Sequence, residues 1–116
     1  MVGRSSYVPE RGDLIWLDFD PQAGHEQSGR RPALVLSPRS YHLRSRLAEV
    51  CPITSRIKGY PFEVPVTGRN KPSAVLADQV RSLDLAARQV AFIAKAGADT
   101  IDAVSQMASA LILPAA

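Results

Sequence analysis

The sequence predicts a mainly β fold, a small and strongly bent barrel that carries one helix at its C-terminal end. Short apolar runs of strand length recur between residues 14 and 94, separated by turns rich in proline and glycine. Apolar residues then recur at helical spacing between residues 101 and 112. Because the strands do not alternate with long helical segments, the pattern argues against a parallel α/β fold.

The first three strands are predicted over residues 14–19, 33–36 and 48–54. The second is apolar on both faces and is therefore expected to be central in the sheet. The third contains Pro52, which cannot donate a ladder hydrogen bond, so we expect this strand to be interrupted or at an edge there. Between the second and third strands, residues 39–47 are expected to form a short helical turn that carries a basic cluster.

Shorter strands and one helix are predicted in the second half of the chain. The strand segments are residues 62–66, 73–77, 78–84 and 89–94. After a turn at Gly97, Asp99 is expected to be the N-cap of an amphipathic helix that Pro114 ends. The apolar side of this helix is formed by Ile101, Val104, Ala108, Leu111 and Ile112.

The composition is typical of one soluble globular domain over residues 1–116. With 46% hydrophobic residues, the chain is long enough for one small core and too short for two ordinary domains. No apolar run approaches the ~20 residues of a membrane span, and no signal-peptide pattern is visible. The single cysteine, Cys51, excludes an internal disulfide, and His25 and His42 add no metal-ligand spacing. We therefore expect a cytoplasmic protein without a metal, another cofactor or a membrane partner.

The formal net charge of +3 is concentrated in the first half of the chain. Residues 1–60 contain nine Lys and Arg against six Asp and Glu, whereas residues 61–116 contain five of each. Eleven of the fourteen cationic side chains are arginines, which suit bidentate contacts to phosphate. The bias favours a polyanionic partner, but a codon preference for arginine explains it equally well.

Residues 24–32 form a polar segment that precedes the second predicted strand. Gly24 and Gly29 bracket four polar residues, and Pro32 restricts Arg31 to extended conformations. This pattern predicts a loop that presents a carboxylate, an imidazole and two guanidiniums beside a buried strand, where functional groups are common. From the residues alone, a solvated loop without a function is about as plausible.

Five segments, which follow one another in the family's order, resemble the MazF/PemK/Kid toxins of bacterial type II toxin–antitoxin systems. They span residues 12–21, 24–32, 51–55, 58–64 and 77–84. The fourth segment is more similar to the MazF branch than to the Kid branch. The resemblance implies an SH3-like barrel of about six to seven short strands with a C-terminal helix, acting as a homodimer. It also implies a sequence-specific endoribonuclease that works without the ribosome.

The resemblance further implies metal-independent cleavage of single-stranded mRNA, in which the RNA 2′-hydroxyl is the nucleophile. Such a reaction leaves a 2′,3′-cyclic phosphate and a 5′-hydroxyl, and it needs a base, cations near the phosphoryl oxygens and help for the leaving oxygen. Arg31 matches the family's catalytic arginine and is expected to bind the scissile phosphate. Thr54 matches the catalytic threonine and, with Ser55, is expected to hydrogen-bond the phosphate. Glu26 is the expected base, and His25 is the second candidate.

Other residues of the matching segments are expected to contact RNA. They are His25, Gln27, Arg30, Ser55, Arg56, Lys58, Asp78, Gln79 and Arg81. In the Kid branch an arginine two residues before the Asp of the Asp-Gln motif is proposed to act with that Asp, and Leu76 stands at this position here. Asp78 is therefore expected either to bind RNA or to hold structure. The residues alone also leave structural roles open, for Thr54 at a strand end and for His25 in an exposed loop.

Two functions of other classes are the alternatives. One is a gyrase-poisoning toxin like CcdB, which shares the barrel but uses a C-terminal helix ending in Trp-Gly-Ile. This chain ends in Leu-Ile-Leu-Pro-Ala-Ala, and its only tryptophan is Trp16. The other alternative is a non-catalytic SH3-like module that binds nucleic acid.

The resemblance and the charge also indicate partners. A cognate antitoxin similar to MazE is expected to lay an acidic, partly disordered segment over the basic groove. The homodimer is expected to use the apolar face of the terminal helix and a strand edge.

Overall fold

Seven strands and two helices follow one another in the computed structural model, which describes residues 7–19, 29–67 and 69–114. The strands are β1 (Asp13–Asp18), β2 (Arg30–Val35), β3 (Leu47–Thr54), β4 (Glu63–Pro65), β5 (Ala74–Leu76), β6 (Arg81–Asp84) and β7 (Ala91–Lys95). The helices are α1 (Arg39–Ser45) and α2 (Ala98–Ile112). The predicted fold class, mainly β with a C-terminal helix, is confirmed.

The strands form one antiparallel sheet in the order β4-β5-β3-β2-β1-β7, and β6 pairs separately with β3. Strand β2 lies between β1 and β3, which confirms its predicted central position. The other side of β3 pairs first with β6, over residues 47–50, and then with β5, over residues 53–54. Pro52 falls between these two stretches. The predicted interruption is therefore present, although β3 is not an edge strand.

Alternate side chains of the strands point to opposite faces of the bent sheet and form two apolar clusters. In β1, Leu14 belongs to the first cluster, whereas Ile15 and Leu17 belong to the second together with Phe19. Helix α2 packs on the first cluster through the fully buried Val104. Burial of each large apolar side chain contributes about 1.5–3 kcal/mol, so these clusters hold the strands in register.

Helix α2 begins earlier than the sequence predicted. Its N-cap is Gly97, and the first helical bond runs from the Ile101 N–H to the Gly97 carbonyl (3.1 Å), so the prediction of Asp99 as N-cap is wrong. Strand β7 ends at Lys95, and the chain turns into the helix within two residues, which leaves Asp99 in the first turn. There its carboxylate still lies near the positive end of the helix dipole.

Close packing of α2 on the start of β1 depends on Gly12. This residue has φ +90°, and a Cβ atom built on it would lie 2.6 Å from Cδ1 of Ile101. A larger residue there would displace the end of the Ile101 side chain, and the positive φ would strain its own backbone. Two residues of the predicted apolar side, Leu111 and Ile112, remain exposed beyond this contact. Neither of the helices in the described ranges is long and apolar enough to cross a membrane.

A buried carboxylate ties the N-terminal segment to the sheet. Asp13 is 2% exposed, accepts hydrogen bonds from the Tyr7 hydroxyl (2.6 Å) and the Glu10 N–H (3.0 Å), and pairs with Lys95 Nζ (2.6 Å). Burial alone would raise the pKa of Asp13, but the hydrogen bonds from Lys95 and Tyr7 outweigh it and lower that pKa below its ordinary value. Because Lys95 lies in β7, this network also joins the edge strand to β1.

Helix α1 is fixed by a buried imidazole. The His42 ring lies 2.8 Å from the Pro9 carbonyl through Nδ1 and 2.6 Å from Ser37 Oγ through Nε2. Since Ser37 Oγ already accepts the Glu49 N–H (2.9 Å), its hydroxyl proton is free to point at Nε2. Because the Pro9 carbonyl can only accept, Nδ1 is the donor in that contact. His42 therefore joins α1 to the N-terminal segment and to β3.

Replacing Asp13 by asparagine is expected to lower the free energy of unfolding by about 1–3 kcal/mol at pH 7, because Lys95 loses its buried anionic partner. The folded-state pKa of Asp13 lies below the ordinary value of about 3.9 that applies to the unfolded chain. Its contribution is therefore complete above about pH 4 and disappears as the pH falls through the folded-state pKa. Urea unfolding at pH 7 and at decreasing pH measures the effect.

The matched control is Asp99→Asn, which alters an exposed carboxylate in α2 and should change the stability by no more than about 0.5 kcal/mol. If Asp13→Asn destabilised the protein equally at pH 7 and at low pH, the charge of Asp13 would not be the stabilising feature.

Candidate active site

The hairpin of β1 and β2 separates two neighbouring arginines. Arg31 is opposite Leu17 in the β1–β2 register, and Arg30 is opposite Asp18. Beyond the ladder, the Phe19 N–H donates to the Gly29 carbonyl (2.9 Å). Because successive residues of a strand point to opposite faces, Arg30 and Arg31 leave the hairpin on opposite sides of the sheet.

Arg31 shares its face of the sheet with Thr54. The β2–β3 ladder ends with the pair of Ala33 and Pro52. Arg31 and Thr54 each lie two residues beyond this pair, so by strand alternation both point to the same face as Ala33 and Pro52. Arg31 is half-buried, and Thr54 is buried at the last position of β3. The fold thus places the two residues that the sequence predicted to be catalytic, Arg31 and Thr54, on one face of the sheet just beyond the β2–β3 ladder.

The Thr54 hydroxyl also shapes the chain that follows it. Oγ1 accepts the backbone N–H of Arg56 (3.0 Å), which turns the chain sharply after β3. Accepting this bond uses a lone pair of the oxygen and leaves the hydroxyl proton for an acceptor. Among the described residues no acceptor for that proton is in place. Thr54 can therefore cap the strand end and still donate to an oxyanion.

An exposed loop of residues 55–61 lies next to Thr54. It contains the predicted contacts Ser55, Arg56 and Lys58, all of which are exposed. Glu63, at the start of β4, organises the loop: its carboxylate accepts the N–H of Lys58 (3.1 and 3.2 Å to its two oxygens) and the N–H of Gly59 (2.8 Å). Gly59 has φ +82°, a conformation that favours glycine.

Glu63 was missed by the sequence analysis as a residue of the site. A signal existed, because an acidic residue that follows Lys-Gly-Tyr-Pro at the start of a predicted strand can accept the N–H groups of that turn. In the same loop, Lys58 Nζ lies 5.9 Å from the centre of the Tyr60 ring, which is itself 60% exposed. The loop therefore presents cations and an aromatic face to the solvent.

Asp78 and Gln79 lie in the turn that connects β5 to β6. Asp78 is exposed, and its charge adds to burial in raising the pKa of the Cys51 thiol to about 12. The Gln79 N–H donates to the Leu76 carbonyl (3.1 Å) and closes the turn. Gln79 Oε1 is buried and has no hydrogen-bond partner within the described part of the chain. Because β5 and β6 both pair with β3, the turn between them, which contains these two residues, lies next to β3.

Arg81 lies on the same face of the sheet as Arg31 and Thr54. It is opposite Val50 in the β3–β6 register, and Val50 is opposite Val35 on the other side of β3. The Arg81 guanidinium donates to the Phe19 carbonyl (3.1 Å) and lies over the Phe19 ring, 5.5 Å from its centre. Both of these contacts are with the residue that follows β1.

Arg30 is engaged on the opposite face. Its Nη1 donates to the Gln89 carbonyl (3.0 Å) and lies 3.9 Å from Asp18 Oδ1. Both side chains of this ion pair are more than 40% exposed, so the pair contributes at most about 1 kcal/mol. The predicted residues Glu26, His25 and Gln27 lie outside the described residues. No group of three or more His, Cys, Asp or Glu side chains suited to a metal ion is found within residues 7–19, 29–67 and 69–114.

Comparison with known proteins assigns the family. The family model of the PemK-like, MazF-like toxin of type II toxin–antitoxin systems matches residues 10–112. The chain belongs to this family. Residues 10–112 contain every predicted site residue.

Two curated relatives are named endoribonuclease toxins. The endoribonuclease toxin MazF of Escherichia coli K12 is 51% identical over 84 residues, which cover 72% of this chain and 76% of that protein. The endoribonuclease toxin ChpB of the same strain is 36% identical over 108 residues, which cover 88% of this chain and 90% of that protein.

Solved structures of the family share the fold. MazF from Deinococcus radiodurans superimposes with a TM-score of 0.86 at 50% identity, covering 91% of this chain and 97% of that chain. A MazE–MazF structure from the same organism superimposes with a TM-score of 0.80 at 50% identity, covering 91% and 96%. The bent sheet with its terminal helix is thus the fold of MazF.

Glu63→Gln is expected to loosen the loop of residues 55–61 while the barrel stays folded. The substitution removes the negative charge that strengthens the hydrogen bonds from the Lys58 and Gly59 N–H groups. In two-dimensional NMR spectra the amide proton resonances of Lys58 and Gly59 should move upfield, and their heteronuclear NOE values should fall.

Glu49→Gln is the matched control, because Glu49 is a half-buried strand residue whose carboxylate makes no recorded hydrogen bond among the described residues. It should leave both amide resonances in place. Unchanged resonances in the Glu63→Gln variant would show that the carboxylate does not organise the loop.

Proposed function

We propose that this protein cleaves single-stranded mRNA at specific sequences, as the endoribonuclease toxin of a type II toxin–antitoxin system. The observation that carries the proposal is that Arg31, near the start of β2, and Thr54, the last residue of β3, share one face of the sheet beside an exposed cationic loop. Family membership and the names of the relatives support the same enzyme class.

In the proposed reaction the RNA supplies its own nucleophile. The 2′-oxygen attacks the adjacent phosphorus, the bond from phosphorus to the 5′-oxygen breaks, and a 2′,3′-cyclic phosphate and a 5′-hydroxyl result. One proton leaves the 2′-hydroxyl for a base, and one proton is delivered to the 5′-oxygen. The protein therefore has to orient the phosphate and stabilise the negative charge that develops on it.

Arg31 suits the charge-stabilising role. Its guanidinium can donate two parallel N–H bonds to the non-bridging phosphate oxygens, and it keeps its charge at any accessible pH. Thr54 donates its hydroxyl proton to one of the same oxygens while its Oγ1 holds the following turn. Both side chains belong to strands of a packed core, so the phosphate meets donors whose positions are already fixed.

The remaining roles stay predictions. Glu26 is the proposed base, with His25 as the second candidate, and Gln27 is a proposed RNA contact. Ser55, Arg56 and Lys58 are proposed to hold the RNA backbone, and the exposed Tyr60 ring is suited to stack on a base. Asp78, Gln79 and Arg30 are proposed as further RNA contacts around the groove.

The proposed partners follow from the charge and from the exposed apolar surface. Complexes of MazE with MazF are known in Deinococcus radiodurans, and a cognate acidic antitoxin is proposed to cover the cationic groove of this chain. The end of α2 exposes Leu111, Ile112 and Leu113, which are 53%, 72% and 66% accessible. This apolar end, with an edge strand, is the proposed interface of a two-fold homodimer. The cytoplasm, where mRNA is present, is the proposed location.

The two alternative functions are not favoured. The matching family is that of PemK and MazF, and the relatives with the highest identities are named endoribonucleases. In a gyrase poison or a non-catalytic binding module, an arginine and a threonine hydroxyl on one face beside a cationic loop would have no catalytic role.

Incubation of the purified protein with a defined single-stranded RNA in excess EDTA tests the function. We expect discrete fragments with 2′,3′-cyclic phosphate and 5′-hydroxyl ends, and sequencing of the 5′-hydroxyl ends will give the recognition site. Intact RNA in the presence of folded protein would contradict the proposal. Fragments that form only when Mg²⁺ is added would contradict the metal-independent mechanism.

Arg31→Ala is expected to lower the cleavage rate at saturating RNA by at least about 10²–10³-fold, because the main donor to the developing phosphate charge is lost. Arg30→Ala is the matched control: it removes the same charge one residue away, on the opposite face, and should lower the rate by less than about tenfold. Single-turnover assays with a 5′-labelled RNA measure both rates, and circular dichroism checks the fold. Wild-type cleavage by Arg31→Ala, or equal losses in the two variants, would contradict the assignment.

A further inference from the structure

Strands β1 and β6 are not hydrogen-bonded to each other, because β2 and β3 lie between them in the sheet. The bend of the sheet nevertheless brings the end of β1 close to β6 and to the turn that follows it. On this side of the barrel, in the part of the chain that the structure describes, arginine side chains make the connection.

Arg81 supplies the first connection. Its Nη1 donates to the Phe19 carbonyl (3.1 Å), and its guanidinium covers the ring of Phe19, which is fully buried in the second apolar cluster. The side chain is itself half-buried. A planar guanidinium can donate to a carbonyl and stack on an aromatic ring at the same time, which an ammonium group does less well.

Arg88 supplies the second connection. Its Nε donates to the Asp18 carbonyl (3.1 Å), and its Nη1 donates to the Asp84 carbonyl at the end of β6 (3.2 Å). One side chain therefore bridges the last residues of two strands that have no ladder in common. The contacts of Arg81 and Arg88 fall on consecutive carbonyls at the end of β1, and we name this pair of arginines the β1 clamp.

The end of β1 that the β1 clamp holds is hydrogen-bonded to the start of β2. The Phe19 N–H donates to the Gly29 carbonyl (2.9 Å), and the next pairs of the ladder are Asp18 with Arg30 and Leu17 with Arg31. A shift of Phe19 would therefore be passed directly to the backbone of Arg31. A displacement of about 1 Å in a catalytic group can lower a reaction rate by about 10²-fold.

We infer that Arg81 and Arg88 are positioning residues of the proposed ribonuclease, which hold the end of the hairpin so that Arg31 keeps its place on the same face as Thr54. The inference rests on the proposed function for its catalytic consequence, but the clamp itself is a property of the fold. It assigns Arg81 a role different from the RNA contact that the sequence predicted. Arg88 was not among the predicted site residues.

Kinetics and binding together distinguish a positioning role from an RNA contact. The variants are Arg81→Met, Arg88→Met and Arg81→Lys, and Arg56→Met serves as the comparison because Arg56 is an exposed loop residue proposed to contact RNA. The rate is measured at saturating RNA in single turnover. The Kd is measured over a range of salt concentrations with an RNA that carries a 2′-deoxynucleotide at the mapped cleavage position.

For the two methionine variants of the clamp we expect the saturating rate to fall about 10- to 100-fold, with a Kd within about twofold of the wild-type value and an unchanged salt dependence. Arg81→Lys keeps a donor for the Phe19 carbonyl and should recover most of the rate. For Arg56→Met we expect a weaker Kd and a slope of log Kd against log salt reduced by about 0.7.

The inference is overturned if Arg81→Met behaves like Arg56→Met, because Arg81 would then be an RNA contact. It is also overturned if Arg88→Met cleaves at the wild-type saturating rate. Should Arg81→Met fail to fold, Arg88→Met and Arg81→Lys carry the same test.

Hydrogen exchange tests the β1 clamp independently of RNA cleavage. The Phe19 N–H should exchange at least about tenfold faster in Arg88→Met than in the wild type, whereas the Ala96 N–H, bonded to the Gly12 carbonyl (2.8 Å) at the other end of β1, should not change. Unchanged exchange at Phe19 would overturn the clamp. If the wild type cleaves no RNA but Phe19 responds as expected, the proposed function fails and the clamp stands.

Discussion

Strand β3 hydrogen-bonds to three other strands, and the positions of the site residues follow from this arrangement. On one side it pairs with β2, and this register places Arg31 and Thr54 on the same face, each two residues beyond the last pair. On the other side it pairs with β6 and then with β5. The change of partner occurs at Pro52, a residue that has no N–H to contribute to a ladder. A single strand of eight residues thus organises both the barrel and the site.

Apart from Arg31, the basic side chains named around the site fall into two physical classes. Arg30, Arg81 and Arg88 donate to backbone carbonyls of the protein and so stabilise its shape. Arg56 and Lys58 are exposed on a loop whose backbone is held by Glu63, and their charged groups face the solvent. The net positive charge of the chain therefore overstates the charge available to RNA. Arginine suits the first class because its fork of donors can hold a carbonyl while its planar face lies on a ring.

Local patterns in the sequence were enough to predict the strands, the central position of β2 and the interruption at Pro52. These features depend on side-chain alternation and on the lost donor of proline, both of which act within one strand. The N-cap of α2 was placed two residues too late, because the helix starts wherever the turn after β7 allows it. The contacts of Arg81 with Phe19 and of Arg88 with Asp18 join residues 62 and 70 positions apart. Only the bend of the sheet brings them together, so no local pattern could reveal them.

The opposite orientation of Arg30 and Arg31 has a consequence for the fidelity of folding. A slip of β2 by one residue against its neighbours would present Arg30 where Arg31 belongs, and two adjacent arginines offer no chemical signal against such an error. The same slip would exchange the buried Ala33 and Val35 of the second apolar cluster with Leu34 of the first, and the resulting cavities and overpacking would cost about 1–5 kcal/mol. The apolar residues that follow the two arginines thus fix the register of the hairpin. A hairpin with the wrong register packs poorly in the core, so it is disfavoured before a site with Arg30 in the place of Arg31 can form.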